Sequence, residues 1–261
     1  ATMGRRRRWR GMAPPTIAMT SRLDALSVRS PSRAMPSVKM VGNMIELNRP
    51  MATTLYTASE PAPDMVSSSS ATQARTLADV IAHMKSKPGR ASFASSGNGS
   101  SDHLSAELFW QQAGVDGLHI PYKGGAPAVN DLLGGMVEFS FQNVNAVLQH
   151  IRAGKLRAIA VTGNKRSAVL PDVPTLEESG VKDAVVYSWQ GFAAPKGLPA
   201  AVKKRISDAT AATFHDPAVS KRMSDQGIEV VVSTPEQTTA YQAAEFRKWK
   251  DLIEKRKITA D

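Results

Sequence analysis

The sequence predicts an α/β fold built on a largely parallel sheet. Three observations carry this prediction. Between residues 91 and 161, short apolar runs alternate with stretches of helical spacing. Each run passes into its helix through a short loop rich in Gly, Ser or Asn. Hydrophobic residues make up 42% of the 261 positions, enough to bury a sizeable core. Strand, short loop and helix in repetition mean βαβ units, and parallel strands place every strand-to-helix loop on one edge of their sheet.

The elements follow in order. Thr76 opens a helix as a capping residue, with Asp79 three positions on and apolar residues at helical spacing up to Lys85. Pro88-Gly89 ends it. Residues 91–94 form a short strand and residues 95–101 a Gly/Ser loop. Residues 102–113 form a helix with Leu104, Leu108 and Gln111 on one face, stopped by Gly114. Residues 118–122 are a strand, 123–126 a loop, and 127–133 a helix with Pro127 in its first turn. Residues 137–141 are a strand, 142–145 a loop, and 146–153 a helix closed by Gly154. Residues 156–161 read as a strand buried on both faces. A further strand at 185–188 runs into Trp189-Gln190-Gly191-Phe192-Ala193-Ala194-Pro195. Helices are expected near 199–214 and 217–226, a strand at 228–232, and a long last helix from Pro235 to about Lys255 with Tyr241, Ala244, Trp249 and Leu252 available to pack.

Residues 1–74 have a different texture. Met, Pro, Ser and Arg dominate, and neither a period of two nor one of 3.6 is sustained. The formal charge of +10 is concentrated here: residues 1–50 hold ten Lys/Arg against Asp24 and Glu46, whereas the rest carries 23 basic and 21 acidic groups. A nucleic-acid function would rest on Arg5–Arg10 alone. A signal peptide needs an apolar core after its basic start, and Trp9-Arg10-Gly11-Met12-Ala13-Pro14-Pro15 does not supply one. No apolar run approaches the roughly 20 residues that cross a bilayer.

The absence of cysteine excludes disulfides, thiolate nucleophiles and Cys-based zinc sites. None of the five histidines forms a metal-binding pair, and no Gly-x-Ser-x-Gly elbow occurs. No cofactor and no metal are expected. A hydrolase using His103 and a loop serine would lack a carboxylate placed to orient the imidazole.

Three loops could bind a ligand. In Ser95-Ser96-Gly97-Asn98-Gly99-Ser100-Ser101 the glycines allow close backbone approach, the serines offer hydroxyls, and the following helix start favours an anion. The same residues could equally be a tight loop with a serine cap. Tyr122-Lys123-Gly124-Gly125-Ala126 is a second glycine turn before a helix. Tyr122 could form a pocket wall, and Lys123 could add charge or simply be solvated. The amides Gln142 and Asn143 could bind a ligand or cap the next helix. His103, in the first turn after the serine loop, could also reach a ligand.

The run from Ser95 to Phe109 resembles the tripartite tricarboxylate transporter receptor family, the Bug or TctC-like solute receptors. The likeness continues through His119-Ile120-Pro121-Tyr122-Lys123-Gly124-Gly125-Ala126-Pro127-Ala128, Asp131-Leu132-Leu133-Gly134-Gly135, Ala153-Gly154-Lys155-Leu156-Arg157-Ala158 and Leu170-Pro171-Asp172-Val173-Pro174-Thr175, and to Trp189-x-Gly191 and Ala194-Pro195. It implies a periplasmic-binding-protein type II-like fold of two α/β lobes that close on a small carboxylate. It also implies a periplasmic location, delivery to membrane subunits of a tripartite tricarboxylate transporter, and no catalysis. On this chain it assigns the ligand contacts to Ser95, Ser96, Gly97, Asn98, Gly99, Ser100, Ser101, His103, Tyr122, Gly124, Gly125, Ala126, Gln142 and Asn143. Residues 91–95 and 186–191 would be the crossing strands.

The family normally opens with a strand and a loop bearing a Gly-Gly pair, and no such pair precedes Gly124. The expected organisation is therefore a basic, low-complexity segment at 1–74, a helix of an incomplete or irregular first lobe at 75–90, an intact α/β ligand-binding lobe at 91–190, and a helical part at 191–261 returning to the first lobe. The chain is expected to be a monomer without a nucleic-acid partner. Its ligand binding is expected to be weak or absent, and the alternatives are a sensory module with the same cleft or a non-functional truncated or frameshifted copy.

Overall fold

The computed structural model describes residues 54–59, 63–68, 71–195 and 197–259. The basic run Arg5–Arg10 lies outside them. Two sheets are present. Strands β2 (Pro63–Ser68), β3 (Ser92–Ser95), β4 (Leu118–Pro121), β5 (Phe139–Asn143) and β6 (Leu156–Ala160) form a five-stranded sheet in the order β4-β3-β5-β2-β6. β3 pairs in parallel with β4 and β5, while β2 runs antiparallel to both β5 and β6. The sheet is thus mixed: four strands share one direction and β2 is inserted against them. Strands β1 (Thr54–Ser59) and β7 (Trp189–Ala193) form a separate antiparallel pair.

The sequence offers no period at β2 because the strand is covered on both faces. Met65 joins one side of the core and Val66 the other, both with no exposed surface. Helices α1 (Leu77–Ser86) and α2 (Ser101–Ala113) cover the first side over an aromatic group of Phe93, Phe109, Trp110, Phe139 and Phe141. α1 is closed by a reciprocal Thr76/Asp79 capping box. It was expected to belong to a first lobe, and it packs on the five-stranded sheet. Helices α3 (Gly125–Leu133) and α4 (Val144–Arg152) cover the second side through Ala128, Leu132 and Val147.

Two expected strands do not form. Residues 185–188 join no strand: the Val186 N–H donates to the Thr162 carbonyl at 2.9 Å, and the Val185 carbonyl accepts from Lys248 Nζ. Residues 228–232 alternate in hydropathy yet form no strand. After β7 come α5 (Ala200–His215), α6 (Pro217–Asp225) and α7 (Pro235–Arg256). α7 docks on α2 through Trp249 and Leu252, which meet Leu104 and Leu108. α5 and α6 bury no residue, and Phe192, Val202, Ile206, Tyr241 and Phe246 are exposed. No helix among the described residues is long and apolar enough to cross a membrane.

Candidate functional site

The shared direction of β3, β4 and β5 brings their C-terminal ends to one rim of the sheet. Because β2 is reversed, its start also lies there: Pro63 pairs with Asn143 and Asp64 with Gln142. The serine loop after β3 and the glycine turn after β4 are tied together. The Tyr122 N–H donates to the Ser95 carbonyl at 3.0 Å, and the Gly124 N–H to the Ser96 carbonyl at 3.1 Å. A Cβ on Gly125 would lie 3.4 Å from Ser96 Oγ and 3.6 Å from Gln142 Oε1. Residues of all three predicted segments therefore meet at Ser96, Gly125 and Gln142, although the loop expected at 142–145 does not form: β5 runs to Asn143 and α4 starts at Val144.

The serine loop is largely occupied by the protein itself. Asp102, 4% exposed, accepts the Ser96 N–H at 3.1 Å, the Ser96 hydroxyl, the Ser101 hydroxyl at 3.3 Å and the Gln142 amide at 3.4 Å. Burial pushes its carboxyl above the usual range, with the Ser96 and Ser101 bonds pulling the other way. The Gly97 N–H goes to Ser95 Oγ, and the Ser100 hydroxyl caps α2 by accepting the His103 N–H. Asn98 is half-buried in the same loop.

His103 is buried below the loop. Its Nδ1 accepts the Gly99 N–H at 3.1 Å, so the proton belongs on Nε2, which faces Glu107 at 3.6 Å. Its ring stacks on His119 with centroids 3.6 Å apart, and His119 Nε2 is 2.6 Å from Ser95 Oγ. This Ser–His contact presents no nucleophile, because Ser95 is 1% exposed and bonded to Gly97. Tyr122 donates its hydroxyl to Asp131 at 2.7 Å. Burial and then Asp131 push the phenol up to about 12, so it stays a neutral donor. Lys123 and Ala126 are exposed.

The open donors lie elsewhere on the rim. α3 starts after Gly124, at φ 109°, with no side-chain cap, and α4 starts after Asn143 with none either. Their first amides and helix dipoles point positive partial charge outward. Asn143 Oδ1 is buried without a hydrogen-bond partner among the described residues. The arrangement can hold a carboxylate against two helix starts, with Ser96 and Gln142 beside it. Among the described residues, no cluster of His, Asp or Glu could hold a metal ion. Sequence reasoning missed Asp102 and Asp64. The first carried a signal, an acid at the second position of a helix after a serine loop. The second carried none.

Comparison with known proteins places this geometry. The model of the tripartite tricarboxylate transporter family receptor matches residues 48–258. Protein BugT of Bordetella pertussis (strain Tohama I) is 38% identical over 178 residues, which is 68% of this chain and 55% of the relative. The chain spans about half the length of the curated relatives it matches. Among solved structures, R. palustris Rpa4515 with adipate aligns at TM-score 0.76 and 27% identity, covering 84% of this chain and 74% of that one. The periplasmic binding protein BugD aligns at TM-score 0.71 and 31% identity, covering 81% and 70%.

Proposed function

The chain belongs to the tripartite tricarboxylate transporter receptor family, and from that premise we propose that it is a periplasmic receptor that binds a small dicarboxylate such as adipate and catalyses no reaction. The observation that carries this reading is the meeting of two uncapped helix starts, α3 and α4, at Ser96 and Gln142 on one rim. Helix N-termini favour an anion through free N–H groups and the macrodipole. The buried acids nearby do not oppose it strongly, since burial drives both Asp64 and Asp102 toward the neutral form. The adipate held by the R. palustris relative supports the ligand class.

Delivery of the bound acid to membrane subunits of a tripartite transporter completes the proposal, with the receptor acting as a monomer. The ligand contacts proposed are Ser96, Gly124, Gly125, Ala126, Gln142 and Asn143. The remaining residues of the serine loop, with His103 and Tyr122, hold these in place. The described residues supply one wall of a cleft, and one wall excludes water poorly. Affinity is accordingly expected in the millimolar range, about −4 kcal/mol.

Calorimetric titration with adipate, citrate, aspartate and pyruvate tests the proposal. Saturable binding of at least one, without turnover, is the expected result. Failure of all four to bind, or chemical conversion of any, would overturn it.

A further inference from the structure

Asp64 is the second residue of β2 and is 1% exposed. Its Oδ2 has no hydrogen-bond partner among the described residues. Its strand neighbour Gln142 turns its amide toward Ser140 and Asp102, so the carboxylate-binding rim leaves Asp64 unused. Burial alone holds the Asp64 carboxyl well above the usual range. A buried carboxylate without a partner is costly, and a proton relieves that cost in the free protein.

Asp64 lines a cavity of about 380 Å³. Val161, Val169 and Ile228 give it apolar walls, and Ser224 of α6 adds a hydroxyl. Lys165 and Glu229, both exposed, pair at 2.8 Å at its outer side. The volume lies in the range of small-molecule sites, roughly 300–1,000 Å³. Lys165 and Arg166 also line it but are paired with Glu229 and Glu178, so an anionic guest would still meet the unpartnered Asp64. A neutral apolar guest would leave Asp64 as it is. A cation with a short alkyl body satisfies both the acid and the walls.

We propose that this cavity is a second binding site, for a small aliphatic ammonium compound, with Asp64 as its counter-ion. The ammonium takes the place of the Asp64 proton, which passes to solvent as the ligand enters. The cavity adjoins the carboxylate rim, since Asp64 pairs with Gln142, but its lining includes none of the proposed carboxylate contacts, and the proposal stands whether or not that rim binds an acid.

Titration of the full chain with butylammonium chloride, followed by calorimetry in two buffers of different ionisation enthalpy, tests the site. The expected result is saturable binding with net proton release, as the charge replacement requires. Asp64→Asn should weaken it at least tenfold and remove the proton release. Ser224→Phe, on the exposed face of α6, should block entry while the fold is retained. Adipate should not compete. Absence of saturable binding, binding unchanged in both variants, or equal binding of butyrate would each overturn the proposal.

Discussion

Asp102 accepts both the backbone N–H and the hydroxyl of Ser96, six residues before it in the chain. The loop that looks in sequence like an anion cradle is thereby closed on the protein's own carboxylate. Its role is to fix Ser96 and Gln142 at the rim, and the external anion falls to α3 and α4.

Asp102→Ala leaves the donors of Ser96 and Gln142 without their shared acceptor. The expected cost is about 1–3 kcal/mol of stability, read from urea unfolding. The pH dependence follows from burial, which raises the carboxyl above its ordinary value. A raised carboxyl binds its proton more tightly in the folded state. Its contribution is full below the unfolded value of 3.8 and is lost as pH rises through the folded one. Asp102→Asn should flatten that part of the profile, measured from pH 3 to pH 7.

Gly124 and Gly125 should separate strain from binding. Gly124 sits at φ 109°, where a side chain is strained, so Gly124→Ala should cost about 1–3 kcal/mol. At Gly125 a Cβ has ordinary contacts, but the branches of valine reach toward Ser96 Oγ and Gln142 Oε1. Gly125→Val should abolish dicarboxylate binding with little change in the thermal midpoint.

The docking of α7 rests on Trp249 and on Arg256. Trp249→Ala should cost about 3–5 kcal/mol, as for large aromatic truncations in cores. Arg256 bonds Glu107 at 2.6 Å and Asp116 at 2.9 Å. Burial raises the Glu107 carboxyl, but His103 and Arg256 together outweigh it and hold the net value below 4.5. That stabilisation is present above the unfolded value and is lost as pH falls through the folded one. Arg256→Leu, an about 1 kcal/mol change in this partly solvated pair, should make unfolding less sensitive to acid. Denaturant midpoints at pH 3, 4 and 6 check it.

Asp64→Asn should stabilise the unliganded protein. The folded state holds the Asp64 proton, so stability from this residue declines as pH rises above 3.8 toward the raised folded value. Asparagine removes the decline. The variant's advantage in urea midpoint should therefore grow as pH rises from 3.8 toward the raised folded value.

What the sequence discloses here is local. The capping box of α1, the glycine after α2 and the two glycine turns are each written within a few residues, and each lies where expected. β2 is different. Asp64 and Ser67 lie in the interior, and what makes the segment a strand is β5, more than seventy residues later. Residues 228–232 show the converse, since Ile228, Val230 and Val232 alternate, yet the segment makes a single bridge at Glu229 and no strand. The site follows the same division. The serine and glycine turns are legible, while the direct passage of β5 into α4 at Asn143 and the spending of the serine loop on Asp102 depend on tertiary packing.

The most direct test of the carboxylate rim is amide shift mapping by NMR during an adipate titration. The account expects saturating shifts at Gly125, Ala126 and Asn143, with smaller ones at Gly97, Gly99 and Gly124, whose N–H groups are already bonded within the protein. Shifts centred on the serine loop or on another face, with the α3 and α4 starts silent, would contradict it.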